Sequence, residues 1–328
     1  MAAAKRRRIG WFALLAVALA LAATAILWRL TAPSTASFIE YPMLEPRDVP
    51  TAIAAAHDGT IWFTIDLANA IGRIRNGKVE RLIEHQGNLE PIGIAVDAQG
   101  AAWYTDAQAK EVTRVLPSGE MTSIALQTPV ARLGHIAAAP DGSVWFSEAT
   151  AYSISRIKDG KLERHVIDSI RALPLGVAVA PDNTVWATLQ GSNQLLHIAP
   201  GGEMKAFDIP TRGSLPADVA VDANGTVWFL EFRGNKIGRF AGGRFEEFSA
   251  GDRNVGLTGL ALAQDGSVWV GMLRRGSLGR FRHGKLQEFK LPRPDPRPYS
   301  VTVDREGNVW YTDIRGFVGM LPARDAQR

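Results

Sequence analysis

The 328-residue sequence contains no cysteine. A disulfide framework, a thiolate metal site, a cysteine nucleophile and a lipidated cysteine are therefore excluded as features of this chain. No Ser-His-Asp arrangement can be identified from spacing, and the glycines stand at turns rather than in a phosphate-binding loop. Any chemistry that the chain performs must use other residue types, chiefly its carboxylates and its six histidines.

Most of the chain has no large excess of positive or negative charge. The formal net charge is +4, from 37 basic and 33 acidic residues. Lys5, Arg6, Arg7, Arg8 and Arg29 lie near the amino terminus, and without these five the remainder carries about one negative charge. Proteins that bind nucleic acid normally have a basic footprint. We therefore expect no nucleic-acid partner.

One long apolar run, residues 9–28, stands near the amino terminus and contains no charged residue. As a helix it would span about 30 Å, the thickness of a bilayer's hydrocarbon core. It predicts a single-pass anchor within residues 1–30, in the inner membrane of a bacterium, with the rest of the chain in the periplasm or outside. Ala23-Thr24-Ala25 has the form of a cleavage site, so a cleaved signal and a secreted protein are the alternative.

A turn, a β-branched or small residue and then tryptophan recur seven times in the remaining sequence. The repeats are 41 or 42 residues long and carry Trp62, Trp103, Trp145, Trp186, Trp228, Trp269 and Trp310. A fixed period in the forties with a structural tryptophan is typical of propeller blades. The sequence therefore predicts an all-β, seven-bladed propeller over residues 38–322, preceded by a linker at 31–37 and followed by a tail at 323–328.

Each period contains four short strand-like runs separated by Gly, Asp, Asn or Pro, which predicts one four-stranded antiparallel blade. The last period lacks a fourth run, whereas residues 38–42 resemble the fourth runs of other periods. We expect this amino-terminal strand to complete the seventh blade, so that no open edge remains. The tryptophans are expected to pack between adjacent blades.

Functional residues are expected at one end of the ring. The first strand of a blade lines the channel, and its start lies at the same end as the finish of the antiparallel second strand. Seven pairs of positions therefore converge on one channel mouth. They are Thr51 with Asp66, Ile92 with Asp106, His135 with Glu148, Leu175 with Gln190, Asp218 with Glu231, Thr258 with Met272, and Tyr299 with Asp313.

Carboxylates and one histidine dominate the polar members of these pairs. Such a rim can bind a hard cation through oxygen ligands or hold a base beside a carboxylate, although solvated polar residues without further function are the alternative. His135 is the candidate catalytic base, because it alone of the histidines falls on the predicted rim. The candidate substrate contacts are Asp218 and Tyr299, and the candidate metal ligands are Asp106, Glu148, Glu231 and Asp313.

Three stretches match successive parts of one repeat pattern: Pro-Ile-Gly-Ile at 91–94, Trp-Phe-Ser-Glu at 145–148 and Asn-Lys-Ile-Gly-Arg at 235–239. This pattern resembles the repeat of the virginiamycin B lyase (streptogramin lyase) family, and the resemblance covers all seven periods. It implies a seven-bladed propeller. It also implies an elimination reaction that opens a cyclic depsipeptide antibiotic at its ester, with magnesium and a histidine base.

The resemblance further implies a Glu-Pro-His-Gly stretch on a first strand and a second glutamate after a Trp-Phe pair. The nearest stretch here is Glu-Pro-Ile-Gly at 90–93, with Ile92 at the histidine position, and His135 falls one position later in its own repeat. We expect a monomeric, streptogramin-lyase-like propeller that acts as a metal-dependent lyase on a cyclic ester or similar ligand. A non-catalytic binding or scaffold module of the cell envelope and a metal-dependent lactonase are the alternatives. The expected cofactor is magnesium or another divalent cation, and the expected partner is a small molecule or peptide at the channel mouth.

Overall fold

The computed structural model describes residues 36–66, 68, 70–83, 90–127 and 132–327. The predicted amino-terminal anchor lies outside the described residues. Within the part of the chain that is described, no helix is long and apolar enough to cross a membrane. Residues from Ser37 onward form one compact unit, in which a short helix, Ala323–Ala326, follows the last strand.

Within these described ranges, twenty-eight strands form seven four-stranded antiparallel blades, which confirms the predicted propeller. Blade 1 contains Val49–Ala55, Ile61–Asp66, Ala70–Arg75 and Lys78–Ile83, and blade 2 contains Pro91–Val96, Ala102–Asp106, Glu111–Val115 and Met121–Ala125. Blade 3 contains Leu133–Ala138, Val144–Glu148, Ser153–Lys158 and Lys161–Val166, and blade 4 contains Pro174–Val179, Val185–Leu189, Gln194–Ile198 and Met204–Asp208. Blade 5 contains Pro216–Val221, Val227–Glu231, Lys236–Ala241 and Arg244–Ser249, and blade 6 contains Leu257–Leu262, Val268–Met272, Ser277–Arg282 and Lys285–Lys290. Blade 7 contains Pro298–Val303, Val309–Asp313, Phe317–Leu321 and Ile39–Pro42.

The amino-terminal strand closes the ring, as predicted. Ile39–Pro42 pairs antiparallel with Phe317–Leu321 and becomes the outer strand of blade 7. The backbone N–H of Ser37 also donates to Asp325 Oδ2 at 3.2 Å. The outer strand of blade 7 therefore comes from the opposite end of the described chain, and the third strand of blade 7 is paired on both sides.

The first strands of the seven blades line the central channel. Each of them contacts the first strand of the blade before it and of the blade after it, and blade 7 contacts blade 1 in the same way. The inner strands approach closely: a Cβ added to Gly93 would lie 2.9 Å from the carbonyl oxygen of Gly134 in the next blade. We call the end at which the first strands begin the mouth, and the other end the far end.

The repeated tryptophans pack between neighbouring blades, as expected. Trp62 of blade 1 lies in a core cluster with Ile94 and Tyr104 of blade 2. Trp310 of blade 7 lies in a cluster with Ile53 and other apolar residues of blade 1, so the same packing closes the ring. Burial of these large side chains provides much of the hydrophobic driving force between blades.

A hydroxyl group in the second strand adds a polar tie between most blades. The N–H of Gly93 donates to Thr105 Oγ1 at 3.0 Å. The Thr105 hydroxyl donates in turn to the carbonyl oxygen of Gly134 in the next blade at 2.8 Å. Thr188 makes the equivalent bonds between blades 4 and 5. In blade 5, Leu230 stands at this position, and blade 5 therefore lacks the hydroxyl tie.

The far end of the molecule is held together by paired charges. In blade 2, Asp97 accepts hydrogen bonds from the Trp103 indole at 2.9 Å and from Arg114 at 3.1 Å. The Arg114 guanidinium also lies over the Trp103 ring. Arginines stack on the repeat tryptophan in the same way in blades 1, 3, 5 and 6, so the polar residues of this end serve the architecture.

Candidate functional site

A bulge at the start of each first strand shapes the mouth. In blade 5 the pairing shifts between Pro216 and Val219, which leaves Ala217 and Asp218 opposite one residue of the second strand. Bulges of this kind re-aim side chains and are common next to functional sites. Blade 3 has the same shift around His135. His135 and Asp218 therefore occupy equivalent positions in their blades.

His135 of blade 3 and Asp218 of blade 5 meet at the mouth, where His135 Nδ1 lies 3.1 Å from Asp218 Oδ1. Gly176 holds the equivalent position in the intervening blade and has no side chain to separate them. A Cβ on Gly176 would lie 2.7 Å from the carbonyl oxygen of Ala217, so the close approach of the inner strands requires glycine. The two side chains remain 36% and 17% exposed, which leaves the pair open to a ligand.

Backbone donors hold the Asp218 carboxylate in place. The N–H of Val219 donates to Oδ1 at 3.0 Å, and the N–H of Leu260 in blade 6 donates to Oδ2 at 2.9 Å. The second bond joins blades 5 and 6, where Leu230 provides no hydroxyl tie. The carboxylate is therefore fixed between the backbone of blade 6 and the ring of His135.

Two opposing effects set the pKa of His135. Burial disfavours the protonated ring and lowers the pKa, whereas the charge of Asp218 and the hydrogen bond to it raise the pKa, and the net result is a pKa above the ordinary histidine value. A carboxylate at Nδ1 also favours the neutral tautomer that carries its proton there, so the Nε2 lone pair is the basic one. Nε2 forms no hydrogen bond with any described residue.

Tyr299 of blade 7 lies at the same mouth. Its side chain is 44% exposed. Partial burial at the mouth raises the pKa of its hydroxyl, and the negative charges of Asp66 and Asp218 raise it further. The hydroxyl therefore stays protonated at neutral pH and is available as a hydrogen-bond donor. The structure thus groups His135, Asp218 and Tyr299, the first predicted as the base and the others as substrate contacts.

The four predicted metal ligands are not brought together. They lie in four separate blades and are buried. Glu148 accepts hydrogen bonds from Ser155 and from Arg164, the latter at 2.9 Å. Asp313 Oδ2 accepts a hydrogen bond from Arg293 at 2.8 Å. Both carboxylates are therefore engaged within their own blade or with the loop beside it.

Asp106 has a structural environment of the same kind. Its Oδ1 accepts hydrogen bonds from the backbone N–H groups of Glu90, Gln108 and Ala109 at 2.7–3.2 Å. The carboxylate thus orders the loop that leaves its strand.

Glu231 differs from the other three. It is fully buried, and neither carboxylate oxygen has a hydrogen-bond partner among the described residues. Burial and the nearby charge of Glu247 raise the pKa of Glu231 to about 7, against the lowering effect of Lys236. A neutral Glu231 is therefore substantially populated near neutral pH.

These surroundings do not fit a divalent cation. Among the described residues, no group of three or more His, Asp or Glu side chains could hold a metal ion. Three of the four predicted carboxylates are bonded to protein donors, and Glu231 lies beside the ammonium group of Lys236. Magnesium requires several oxygen ligands in near-octahedral geometry. The site therefore supports chemistry by the side chains of the chain itself.

The pairing of His135 with Asp218 was not predicted from the sequence, although a signal for it exists. Both residues fall one position later in their repeats than the other residues assigned to the rim. A shared offset in two periods indicates equivalent positions, and the bulge then turns both residues toward one mouth. Arg164, Arg293 and Lys236, which surround the buried carboxylates, were also missed because they come from other strands and loops.

Comparison with known proteins agrees with this fold. The sequence profile of the virginiamycin B lyase family matches residues 29–190 and 85–324. The chain belongs to the virginiamycin B lyase family. A virginiamycin B lyase of Nocardia farcinica (strain IFM 10152) is 33% identical to the chain over 200 residues, which cover 60% of this chain and 68% of the relative.

Solved structures share the virginiamycin B lyase propeller at lower identity. A streptogramin B lyase structure superposes with a TM-score of 0.83 at 22% identity, covering 87% of this chain and 96% of that one. A catalytically inactive virginiamycin B lyase from Staphylococcus aureus with quinupristin gives 0.82 at 23% identity, covering 87% and 98%. YCF48 bound to D1 peptide gives 0.71 at 16% identity, covering 89% and 98%. At these identities the likeness concerns the fold.

Proposed function

We propose that the mouth of this propeller is the active site of a carbon-oxygen lyase, in which His135 is the base. The observation that carries the proposal is the 3.1 Å contact between His135 Nδ1 and Asp218 Oδ1. Asp218 keeps the proton on Nδ1 and stabilises the imidazolium that forms when Nε2 takes a second proton. Tyr299 provides a neutral donor to the ligand at the same mouth.

The reaction would be an elimination on a cyclic ester. His135 Nε2 removes the proton from the carbon next to a carbonyl group, and the electron pair of that C–H bond forms a C=C bond. The ester oxygen on the neighbouring carbon then departs with the C–O bonding electrons as a carboxylate. The atoms balance without water, and the proton is left on the imidazole ring.

The test uses quinupristin, which is present with the Staphylococcus aureus relative, and the full chain. Elimination gives an open product with the mass of the substrate, whereas a lactonase product is heavier by one water. We expect the first product, and His135→Ala should slow its formation by about a hundredfold or more. His57→Ala is the matched control, because His57 lies in an exposed turn at the far end. Equal rates for the wild type and His135→Ala would exclude His135 as the base.

Asp218→Asn tests the partner of the base. The Asp218 charge and hydrogen bond raise the pKa of His135, so their loss should lower that pKa. Histidine ring signals in NMR spectra, followed from about pH 5 to pH 9, report the change. Turnover should fall with the variant because the tautomer is no longer fixed. An unshifted titration would contradict the coupling.

A binding module without catalysis is the second candidate, and Ile92 at the family's histidine position favours it. YCF48, which shares the fold, is bound to a peptide. For this candidate we expect saturable binding of quinupristin or a peptide that depends on Tyr299 and Asp218, with no change in the mass of the ligand.

For either candidate, we propose that residues 1–30 anchor a monomeric propeller outside the cytoplasm. Protease accessibility in intact cells and spheroplasts tests this location.

A further inference from the structure

We propose that the mouth takes an anionic ligand, one bearing phosphate or carboxylate groups, and that a collar of unpaired arginines recognises it. The collar comprises exposed arginines in loops at the mouth that have no ion-pair partner among the described residues. These are Arg47, Arg132, Arg171, Arg212, Arg233, Arg253 and Arg274. The proposal rests on the proposed function in placing the ligand at this mouth, and it adds the chemical class of the ligand.

Most arginines elsewhere in the described chain are paired. Toward the far end, Arg73, Arg114, Arg156, Arg239 and Arg280 each contact a carboxylate and lie over a tryptophan ring. The exceptions are Arg244 and Arg305, which lie in or beside turns at the far end. Most other described arginines have a carboxylate partner. The grouping of arginines without an ion-pair partner at the mouth therefore favours an anionic partner from outside the chain.

The loops of blades 4 to 6, which we call the sector, hold five collar arginines: Arg171, Arg212, Arg233, Arg253 and Arg274. The N–H of Gly191 donates to the carbonyl oxygen of Ala172 at 3.1 Å, which joins the loop of Arg171 to the loop that contains Asn193. The Nδ2 group of Asn193 donates to the carbonyl oxygen of Thr211 at 3.0 Å, and its Oδ1 accepts the N–H of Ser214 at 2.7 Å. This bracket fixes the loop that carries Arg212. Asn235 makes the equivalent bonds to the loop of Arg253.

Further hydrogen bonds connect these loops to one another. The N–H of Arg233 donates to the carbonyl oxygen of Ser214, and the N–H of Arg274 donates to that of Val255. Asn254 Nδ2 donates to the carbonyl oxygen of Phe232 at 3.1 Å. The backbone that carries the arginines of this sector is thus one hydrogen-bonded band, which reduces the loop-ordering cost when a ligand binds.

The charge of the sector is positive. Its exposed carboxylates are Asp168, Asp208 and Asp252, and Asp218 is partly exposed beside His135. Five guanidinium groups without an ion-pair partner stand against these four carboxylates, and that of Arg274 lies over the Phe232 ring. Arg275 is excluded from the collar because it pairs with Glu288 at 2.7 Å. Guanidinium groups bind phosphate and carboxylate in a planar, two-pronged geometry. A multivalent anion carries acceptor groups for more than one guanidinium, and a positive field at the mouth speeds its arrival.

The test measures binding of tripolyphosphate to the full chain by calorimetry at low ionic strength. We expect saturable binding that weakens when sodium chloride is added. The variant R171Q/R212Q/R253Q should bind at least about tenfold more weakly. The control R244Q/R305Q removes two unpaired arginines of the far end and should bind like the wild type. Equal weakening in both variants, or no saturable binding by the wild type, would overturn the proposal.

A second arm separates a soluble anion from a lipid surface. Vesicles of phosphatidylcholine with and without phosphatidylserine are sedimented with the protein. Binding to the anionic vesicles without binding to tripolyphosphate would overturn the proposal in favour of a membrane surface. The collar variant and His135→Ala also have separate readouts: the first should lose anion binding, and the second should lose turnover while binding tripolyphosphate normally. Failure of one proposal is therefore distinguishable from failure of the other.

Discussion

Blades 3 and 5 place a glutamate at the same position and give it opposite surroundings. Glu148 of blade 3 pairs with Arg164, whereas Glu231 of blade 5 faces Glu247. Arg164 pairs with Ser155 in its sheet and Glu247 pairs with Gly238, so the two fourth-strand residues are themselves equivalent. The repeat fixes where a side chain lies, and one residue on the outer strand decides whether its charge is stabilised.

The two blades also differ in the third-strand residue that lies between the glutamate and its outer-strand neighbour. Ser155 of blade 3 donates a hydrogen bond to Glu148. Gly238 stands at that position in blade 5, where a Cβ would lie 2.0 Å from the ring of Phe229. Blade 5 therefore surrounds its glutamate with fewer donors, and Lys236 and Thr211 instead bind Glu247.

Glu231→Gln should stabilise the protein at alkaline pH. The pKa of Glu231 is about 7 in the folded state, against 4.5 for an ordinary glutamate, so the folded protein holds this proton more tightly than the unfolded chain. The free energy of unfolding is unaffected below pH 4.5, falls as the pH rises from 4.5 to 7, and then stays reduced by about 3 kcal/mol. Urea unfolding at about pH 5 and about pH 8 should show a gain for the variant mainly at the higher pH.

Glu148→Gln should act in the opposite direction. It removes the charge that Arg164 faces in blade 3, and loss of one partner from a partly buried ion pair should lower the free energy of unfolding by about 2 kcal/mol. The measurement is the same urea series. If Glu148→Gln and Glu231→Gln shifted stability in the same direction at alkaline pH, the contrast between the blades would be wrong.

Lys236→Met should lower stability by about 1 kcal/mol at alkaline pH, discounted because the ammonium group is partly exposed. Its Nζ lies 2.8 Å from Glu247 Oε2 and is the cation close to both glutamates. The loss should be smaller in the double variant with Glu231→Gln, since only one carboxylate charge then remains. Thermal unfolding of the single and double variants gives the coupling, and equal losses in both would contradict it.

Ser155→Ala should have the smallest effect, a loss of about 1 kcal/mol or less. It removes the hydroxyl that donates to Glu148 but retains Arg164 as its ion-pair partner. In Glu148→Gln the same substitution should cost less, because the acceptor is no longer a carboxylate. Unfolding curves of the wild type, Ser155→Ala, Glu148→Gln and the double variant form a double-mutant cycle, which gives the energy of the hydrogen bond between the two side chains.

The sequence predicted the fold because the relevant residues repeat. Trp62 and its six equivalents recur at a near-constant interval and pack between blades in the same way, so each period reinforces the others. The closing strand was also predictable, since residues 38–42 resemble the missing fourth run. Hydrophobic pattern and turn residues suffice when one structural unit is repeated.

The site was less predictable because its contacts join different blades. His135 was identified from its place in the repeat, but its contact with Asp218 spans 83 positions and passes the side-chain-free Gly176. The four acidic residues at strand ends were expected to share a mouth, and each instead meets donors or charges from other strands and loops. Side-chain direction at a bulge and the charge of a facing outer strand do not follow from periodicity.

The closure of blade 7 has a consequence for the timing of folding. Residues 39–42 are made before all other strands of the seven blades, whereas their partner strand at 317–321 is made after them. Tyr311 and Glu40, whose side chains lie 3.0 Å apart, are separated by 271 positions. Contacts of such long range form slowly because a long loop must close first. Until then the early strand has an exposed edge, and we expect the nascent chain to be most prone to aggregation in the interval before blade 7 is complete.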